Sequence, residues 1–211
     1  MVISHMHAIS GFYFITGGDS SRHGDAFDVR AAIGAGVSVV QYRDKNASSA
    51  AMYQKARALK RLCRNALFLL NDRIDIALAV NADGVHLGQD DMPLYAARRI
   101  LGRKKVIGVS VSTIAQAAKA VKEGADYLGV GPVYATATKA DAGRPVGEGL
   151  IRKIKARYNV PIVAIGGISA GNAASVIDAG ADAICAISAV VARAGVRKHI
   201  REIQELFGAA R

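Results

Sequence analysis

The sequence predicts an α/β protein built as a single (β/α)8 TIM barrel. Short apolar, β-branched runs alternate with segments of helical periodicity along the chain, the pattern of successive βα units around a parallel sheet. A phrase of one shape recurs where a helix gives way to a strand, in "AGVSVV", "NADGVHL", "EGADYLGV" and "AGADAICAI". Each places Gly or Asn at the helix end, where a left-handed cap is needed, and the recurrence points to a repeated unit. Eight such units in 211 residues match a small barrel.

The elements follow in order. Strands are expected over 12–16, 38–43, 66–71, 84–88, 106–111, 127–131, 161–166 and 183–188, and helices over 25–35, 48–65, 74–80, 94–101, 114–123, 149–158, 172–179 and 196–207. No interdomain linker or low-complexity segment interrupts them, so residues 1–211 read as one domain. A hydrophobic content of 51% is enough for a substantial core.

Composition excludes several classes. Cys63 and Cys185 each sit in apolar sequence without a CxxC partner, which argues against a disulfide framework or a structural zinc site and fits a reducing cytoplasm. The opening "MVISHMHAISGFYFITGG" does not read as an export signal, and no apolar run of about 18 residues suggests a membrane span. The net charge of +11 is spread over helical segments such as "KARALKRLCR", without aromatic interleaving. Solvated helix faces and steering of small anions account for it better than nucleic acid does.

In a (β/α)8 barrel the loops after the strands form the site. After strand seven, Gly166 and Gly167 let backbone N–H groups approach an anion, and after strand eight Ser188 adds a hydroxyl; this is where barrels often bind phosphate. Asp72 and Asp91 follow neighbouring strands and suit Mg²⁺, which takes one or two carboxylates together with phosphate oxygens and water. The alternative is that Asp72, Asp90 and Asp91 cap the helices that follow them. In "QYRDK" Gln41 and Arg43 share one strand face and Tyr42 takes the other. Lys45 lies just beyond, and Lys139 belongs to the long segment "GPVYATATKADAGRPVGEG". The two lysines and a divalent cation would suit a diphosphate held for departure, although either lysine alone also reads as a surface charge. His86, inside strand four, reads as a satisfied structural histidine rather than a proton shuttle, and no serine-hydrolase or HExxH pattern occurs.

Taken together, "QYRDK", "NDRIDIALAVNADGVHLGQDD", "IGVSVST", "YLGVGPVYATATK", "PIVAIGGI" and "AICAIS" make the chain resemble the thiamine-phosphate synthases from about residue 11 to 194. The resemblance implies a barrel enzyme that joins 4-amino-5-hydroxymethyl-2-methylpyrimidine diphosphate to 4-methyl-5-(2-hydroxyethyl)thiazole phosphate. Diphosphate leaves first, and the thiazole nitrogen captures the pyrimidine cation. Carried over by motif, Gln41, Lys45 and Asn71 contact the pyrimidine diphosphate, with Arg43 lining the same strand end. Asp72 and Asp91 hold Mg²⁺, Ser110 and Lys139 meet the diphosphate, and Thr136 and Thr138 take the thiazole phosphate. Gly167, Ile187 and Ser188 complete that phosphate pocket. Lys45, Ser110 and Lys139 are thereby the expected catalytic groups, and such a reaction needs leaving-group stabilisation and positioning rather than a strong base.

The chain departs from the family in two places: Gly17 and Gly18 stand where an aspartate usually follows strand one, and Ala135 where a proline often precedes the first threonine. Thiazole tautomerases carry a histidine close after the fifth-strand serine, whereas this chain has Ser112 and Thr113. Expected partners are the two small-molecule substrates, with neither nucleic acid nor membrane; self-association as a homo-oligomer is left open. A tautomerase-like paralogue and a non-catalytic phosphate-ligand barrel stand as alternatives.

Overall fold

The structure, a computed structural model, describes residues 9–136, 138 and 143–209, with side chains through Gly208. Eight parallel strands close into a barrel in sequence order: β1 (Gly11–Ile15), β2 (Val39–Tyr42), β3 (Leu67–Asn71), β4 (Gly84–Leu87), β5 (Val106–Val111), β6 (Tyr127–Val130), β7 (Ile162–Ile165) and β8 (Ala183–Cys185). The helices between and after them are α1 (Asp25–Gly34), α2 (Ser49–Leu62), α3 (Ile74–Ala79), α4 (Leu94–Leu101), α5 (Ile114–Lys122), α6 (Gly147–Lys155), α7 (Ala173–Asp178), α8 (Ser188–Val191) and α9 (Val196–Ala209). Among the described residues no helix is long and apolar enough to cross a membrane.

Strand alternation divides the core in two. One set, including Tyr13, Val39, Leu69, Val106, Tyr127, Val163 and Cys185, fills the barrel; the other, including Phe14, Val40, Tyr42, Phe68 and Leu70, packs outward against the helices. Register carries the inner set around the wall: Gln41 pairs with Ile15 and Leu69, His86 with Asn71 and Gly108, and Tyr127 with Gly108.

The recurring phrase acquires a structural meaning at the base of the barrel. Gly36, Asn81, Gly124 and Gly180, one in each copy, have φ of 87°, 52°, 86° and 102°, so each ends its helix in the left-handed region that favours Gly and Asn. The aspartate of three copies then performs one task. Asp83 accepts from the N–H of Phe68, Asp126 from that of Ile107 and Asp182 from that of Ile162, at 2.8, 2.7 and 2.8 Å. Each also meets a cation from the helix before the odd strand, Lys60 at 2.5 Å, Arg98 at 2.6 Å and Lys155 at 2.7 Å. The repeat is therefore a double βα unit whose aspartate ties an even strand to the odd strand preceding it.

Several boundaries differ from expectation by one to three residues, and two of the shifts have a local cause. β8 ends at Cys185 rather than at Ser188, because Ile187 turns to φ −80°, ψ −74° and caps the short α8. α6 begins at Gly147, two residues early, where the N–H groups of Val146 and Gly147 donate to Pro132 and Val133 carbonyls at 2.8 and 3.1 Å.

Candidate active site

A cavity of about 410 Å³ opens at the C-terminal ends of the strands. Gln41, Arg43, Asn71 and Ser110 reach it from β2, β3, β5 and their ends, Thr136 and Thr138 from the segment after β6, Gly167 from the loop after β7, and Ile187 and Ser188 from the loop into α8. Nine of the residues expected from the sequence thus share one wall-to-wall space.

The floor is a connected polar chain. Gln41 Nε2 donates to Tyr13 Oη at 2.8 Å, Tyr13 Oη lies 2.7 Å from Tyr127 Oη, and Tyr127 Oη lies 2.9 Å from His86 Nδ1. His86 Nε2 then meets Ser110 Oγ at 2.8 Å. Burial holds both phenols well above their ordinary pKa, so they are protonated. Absent side chains make the room: a Cβ on Gly108 would fall 2.0 Å from the Tyr127 ring, and one on Gly129 would fall 2.8 Å from His86 Cε1.

Beside the cavity, outside its lining, two carboxylates meet. Burial is the main reason the Asp72 carboxyl is pushed up to about 7; the hydrogen bond and charge of Asp91 add to it, and Lys45 and Arg43 pull it back. Asp72 therefore lies within electrostatic reach of Asp91, Lys45 and Arg43. Asp72 is held at φ 62°, a left-handed position uncommon outside Gly but better tolerated by Asp and Asn than by most side chains. It caps nothing: α3 has Arg73 at its N-cap and no side-chain cap bond. Asp91 spends Oδ2 on the N–H of Gly88 at 2.6 Å, and α4 starts behind Pro93 without a side-chain cap. The capping alternative for Asp72, Asp90 and Asp91 is therefore corrected. Among the described residues no group of three or more His, Cys, Asp or Glu gathers for a metal, so any cation here would have two protein carboxylates and would draw its other ligands from phosphate oxygens and water. That donor set fits Mg²⁺.

On the opposite wall Thr138 Oγ1 donates to Ser188 Oγ at 3.1 Å, and Thr138 N–H donates to Thr136 Oγ1 at 3.2 Å. Gly166 and Gly167 have φ of 101° and 65°. A Cβ on Gly167 would fall 2.5 Å from the Ala135 carbonyl, and one on Gly166 2.5 Å from Pro132. These glycines therefore also let the β6 connection lie against the β7 loop, a reason additional to anion approach. Lys139 lies outside the described residues.

Sequence reasoning left out Tyr13 and Tyr127 and gave His86 a purely structural part. Ile15, Ile165 and Arg193 also line the space. The signal that could have found the tyrosines is phase: Tyr13 is two residues from Ile15 and in register with Val39, two from Gln41.

A closed parallel barrel with a cavity at the C-terminal ends of its strands is the layout of a (β/α)8 enzyme. The sequence model of the family described as thiamine monophosphate synthase matches residues 12–190. A thiamine-phosphate synthase of Methanosarcina barkeri is 50% identical over 191 residues, covering 90% of this chain and 87% of that protein. One from Chloroflexus aurantiacus is 51% identical over 180 residues, covering 84% and 83%. The solved thiamine phosphate pyrophosphorylase from Pyrococcus furiosus superposes with a TM-score of 0.87 at 40% identity, covering 94% of this chain and 96% of that one. The chain belongs to the thiamine monophosphate synthase family and is a transferase.

Proposed function

We propose that this enzyme condenses 4-amino-5-hydroxymethyl-2-methylpyrimidine diphosphate with 4-methyl-5-(2-hydroxyethyl)thiazole phosphate, releasing thiamine phosphate and diphosphate. The observation that carries the reading is the division of the cavity. Gln41, Arg43 and Asn71 stand on one side, next to the cluster of Lys45, Asp72 and Asp91, and Thr136, Thr138, Gly167 and Ser188 stand on the other. Two phosphorylated substrates can thus enter with their anionic ends apart and their rings together over the floor.

In this reaction the bond from the pyrimidine methylene to the diphosphate oxygen breaks and its electron pair leaves with diphosphate. The thiazole nitrogen lone pair then forms the new carbon–nitrogen bond. Lys45, Arg43 and Ser110 act on the departing oxygens by charge and hydrogen bonding, with Lys139 in the same role. Thr136, Thr138 and Ser188, with the backbone at Gly167 and Ile187, bind the thiazole phosphate and so fix its nitrogen. Holding both partners in place is itself worth several orders of magnitude in rate. Asp72 and Asp91 would hold Mg²⁺, which when bound supplies charge neutralisation of the diphosphate. The same reading has the whole chain working as one domain in the cytoplasm.

The direct test is to mix protein, both substrates and Mg²⁺ and to measure thiamine phosphate. Product is expected with the pair and with neither substrate alone. Asp91→Ala is expected to lower turnover at least about 100-fold, the scale for losing a charge clamp, with the fold retained. Full turnover in that variant would remove Asp91 from the site, and no product from the wild type would overturn the assignment.

A further inference from the structure

We propose that Tyr13, Tyr127 and His86 form a one-way hydrogen-bond relay that fixes Ser110 as a donor and Gln41 as an acceptor toward the cavity. The identity of the groups met at each end rests on the reading above; the direction of the relay does not.

The direction follows from counting donors. An amide nitrogen can only donate, so Tyr13 Oη, 2.8 Å from Gln41 Nε2, accepts at that side. Its single proton must go elsewhere, in a position 1% exposed. Among the described residues its other partner is Tyr127 Oη at 2.7 Å. Tyr127, 0% exposed, has then accepted once and passes its own proton to His86 Nδ1 at 2.9 Å. An accepting Nδ1 means that the neutral ring carries its hydrogen on Nε2, which donates to Ser110 Oγ at 2.8 Å. Ser110 therefore keeps its own proton for the cavity, and Gln41 keeps Oε1.

The reverse order fails the same count. If Nδ1 donated to Tyr127 and Tyr127 to Tyr13, Tyr13 would accept from both sides and its proton would be buried without a partner, which carries the full desolvation penalty of an unmet donor. Both phenols stay protonated because burial raises them. The relay ends on a hydroxyl at one side and an amide at the other, neither of which takes up or gives up a proton near neutral pH. It therefore moves no net proton and does not activate Ser110 as a nucleophile; it presents Ser110 O–H to an anionic oxygen and Gln41 Oε1 to an N–H donor such as an exocyclic amine. His86, Tyr127 and Tyr13 are positioning residues.

The tautomer decides the direction without any assay of turnover. In protein labelled with ¹⁵N-histidine, long-range ¹H–¹⁵N correlations, assigned with His86→Gln, should show His86 protonated at Nε2 in the substrate-free enzyme. Tyr13→Phe should leave that tautomer in place, because Tyr127 can still donate, whereas Tyr127→Phe should give a mixture. An Nδ1–H ring in the wild type overturns the proposal. Kinetics then test the consequence. His86→Leu and Tyr127→Phe should lower kcat on the order of 10-fold to 100-fold, below the loss typical of deleting an oxyanion donor itself, with KM for the thiazole phosphate unchanged. His86→Gln, which can accept and donate through one amide, should recover most of the loss. Wild-type kcat in both His86→Leu and Tyr127→Phe overturns the positioning role, while an inactive wild type with an Nε2–H ring would fault the substrate assignment and leave the relay standing.

Discussion

Asp28 shows at the scale of one residue how solvation and local bonding compete. It lies in the first turn of α1 at 0% exposure, where a helix N-terminus favours a carboxylate. Ser21 Oγ donates to its Oδ2 at 2.5 Å, but Oδ1 is buried without a hydrogen-bond partner among the described residues. Burial wins: the carboxyl is raised above its ordinary pKa, with the neighbouring Asp25 adding to the shift against the pull of Ser21. Below an unfolded pKa of about 3.9 both states hold the proton. As pH rises through that value the unfolded chain releases it first, so stability falls until the pH has passed the higher folded pKa. Asp28→Asn removes the slope, and thermal melts should show the variant more stable than wild type at about pH 7, with the gain vanishing near pH 4. An equal difference at both pH values would mean that Asp28 is ionised at no cost. The interior tyrosines make a different point about single residues. In "GFYFI" every side chain after the glycine is buried, Phe12 and Phe14 outward and Tyr13 and Ile15 inward. A strand covered on both faces shows no polar alternation, so the sequence does not distinguish a tyrosine in the site from one in the shell.

At the scale of elements, the connection from β6 to α6 is tied at its base. Val133 and Tyr134 N–H groups donate to Ile165 and Gly166 carbonyls at 2.9 and 3.0 Å. Tyr134 Oη donates to Glu148 Oε1 at 2.6 Å and lies 3.1 Å from Ser175 Oγ, so one phenol joins the connection to α6 and α7. The Glu148 carboxyl is held below its ordinary range chiefly by the Tyr134 hydroxyl. Tyr134→Phe should lower unfolding stability slightly, since the bond it removes is solvent-screened, as read from denaturant midpoints. Because the connection carries Thr136 and Thr138, the same variant should raise KM for the thiazole phosphate and leave KM for the pyrimidine diphosphate unchanged. A rise in both would mean the clamp supports the barrel rather than one wall. Boundaries are legible here only where chemistry changes along the chain. "AICAISAVVA" is apolar but for Ser188, so periodicity did not reveal that β8 stops at Cys185 and a helix starts at Ser188. The aspartates after β3 and β4 were legible as a pair because consecutive parallel strands must end side by side. Their lack of a capping role was not, since Asp before a helix reads as a cap wherever one is available.

At the scale of the whole molecule, the two ends of the barrel have separate duties. Residues expected to carry the chemistry come from the C-terminal ends of the strands, and that much was legible because the barrel's topology assigns those positions once the strands are counted. The opposite end carries the repeated aspartates, and there the sequence disclosed the repeat through its Gly or Asn cap without disclosing what the aspartate does. Its task depends on a backbone N–H of the preceding odd strand, some twenty positions away, as in Asp126 with Ile107. The consequence is that stability and turnover can be changed independently. Asp126→Ala leaves the N–H of Ile107, a residue at 0% exposure, without its acceptor and removes the ion pair of Arg98, which keeps its hydrogen bonds to the carbonyls of Gly102, Lys105 and Gly124 and is 20% exposed. The exposed share of the ion pair is worth little, so the unmet N–H dominates, at about 1–3 kcal/mol. Urea titration should show a lower midpoint with unchanged slope, while kcat and both KM values at a temperature well below the transition stay at wild-type levels. A fall in kcat without loss of stability would contradict the division, because it would mean that strain at the base of the barrel reaches Ser110 and His86 along β5 and β4.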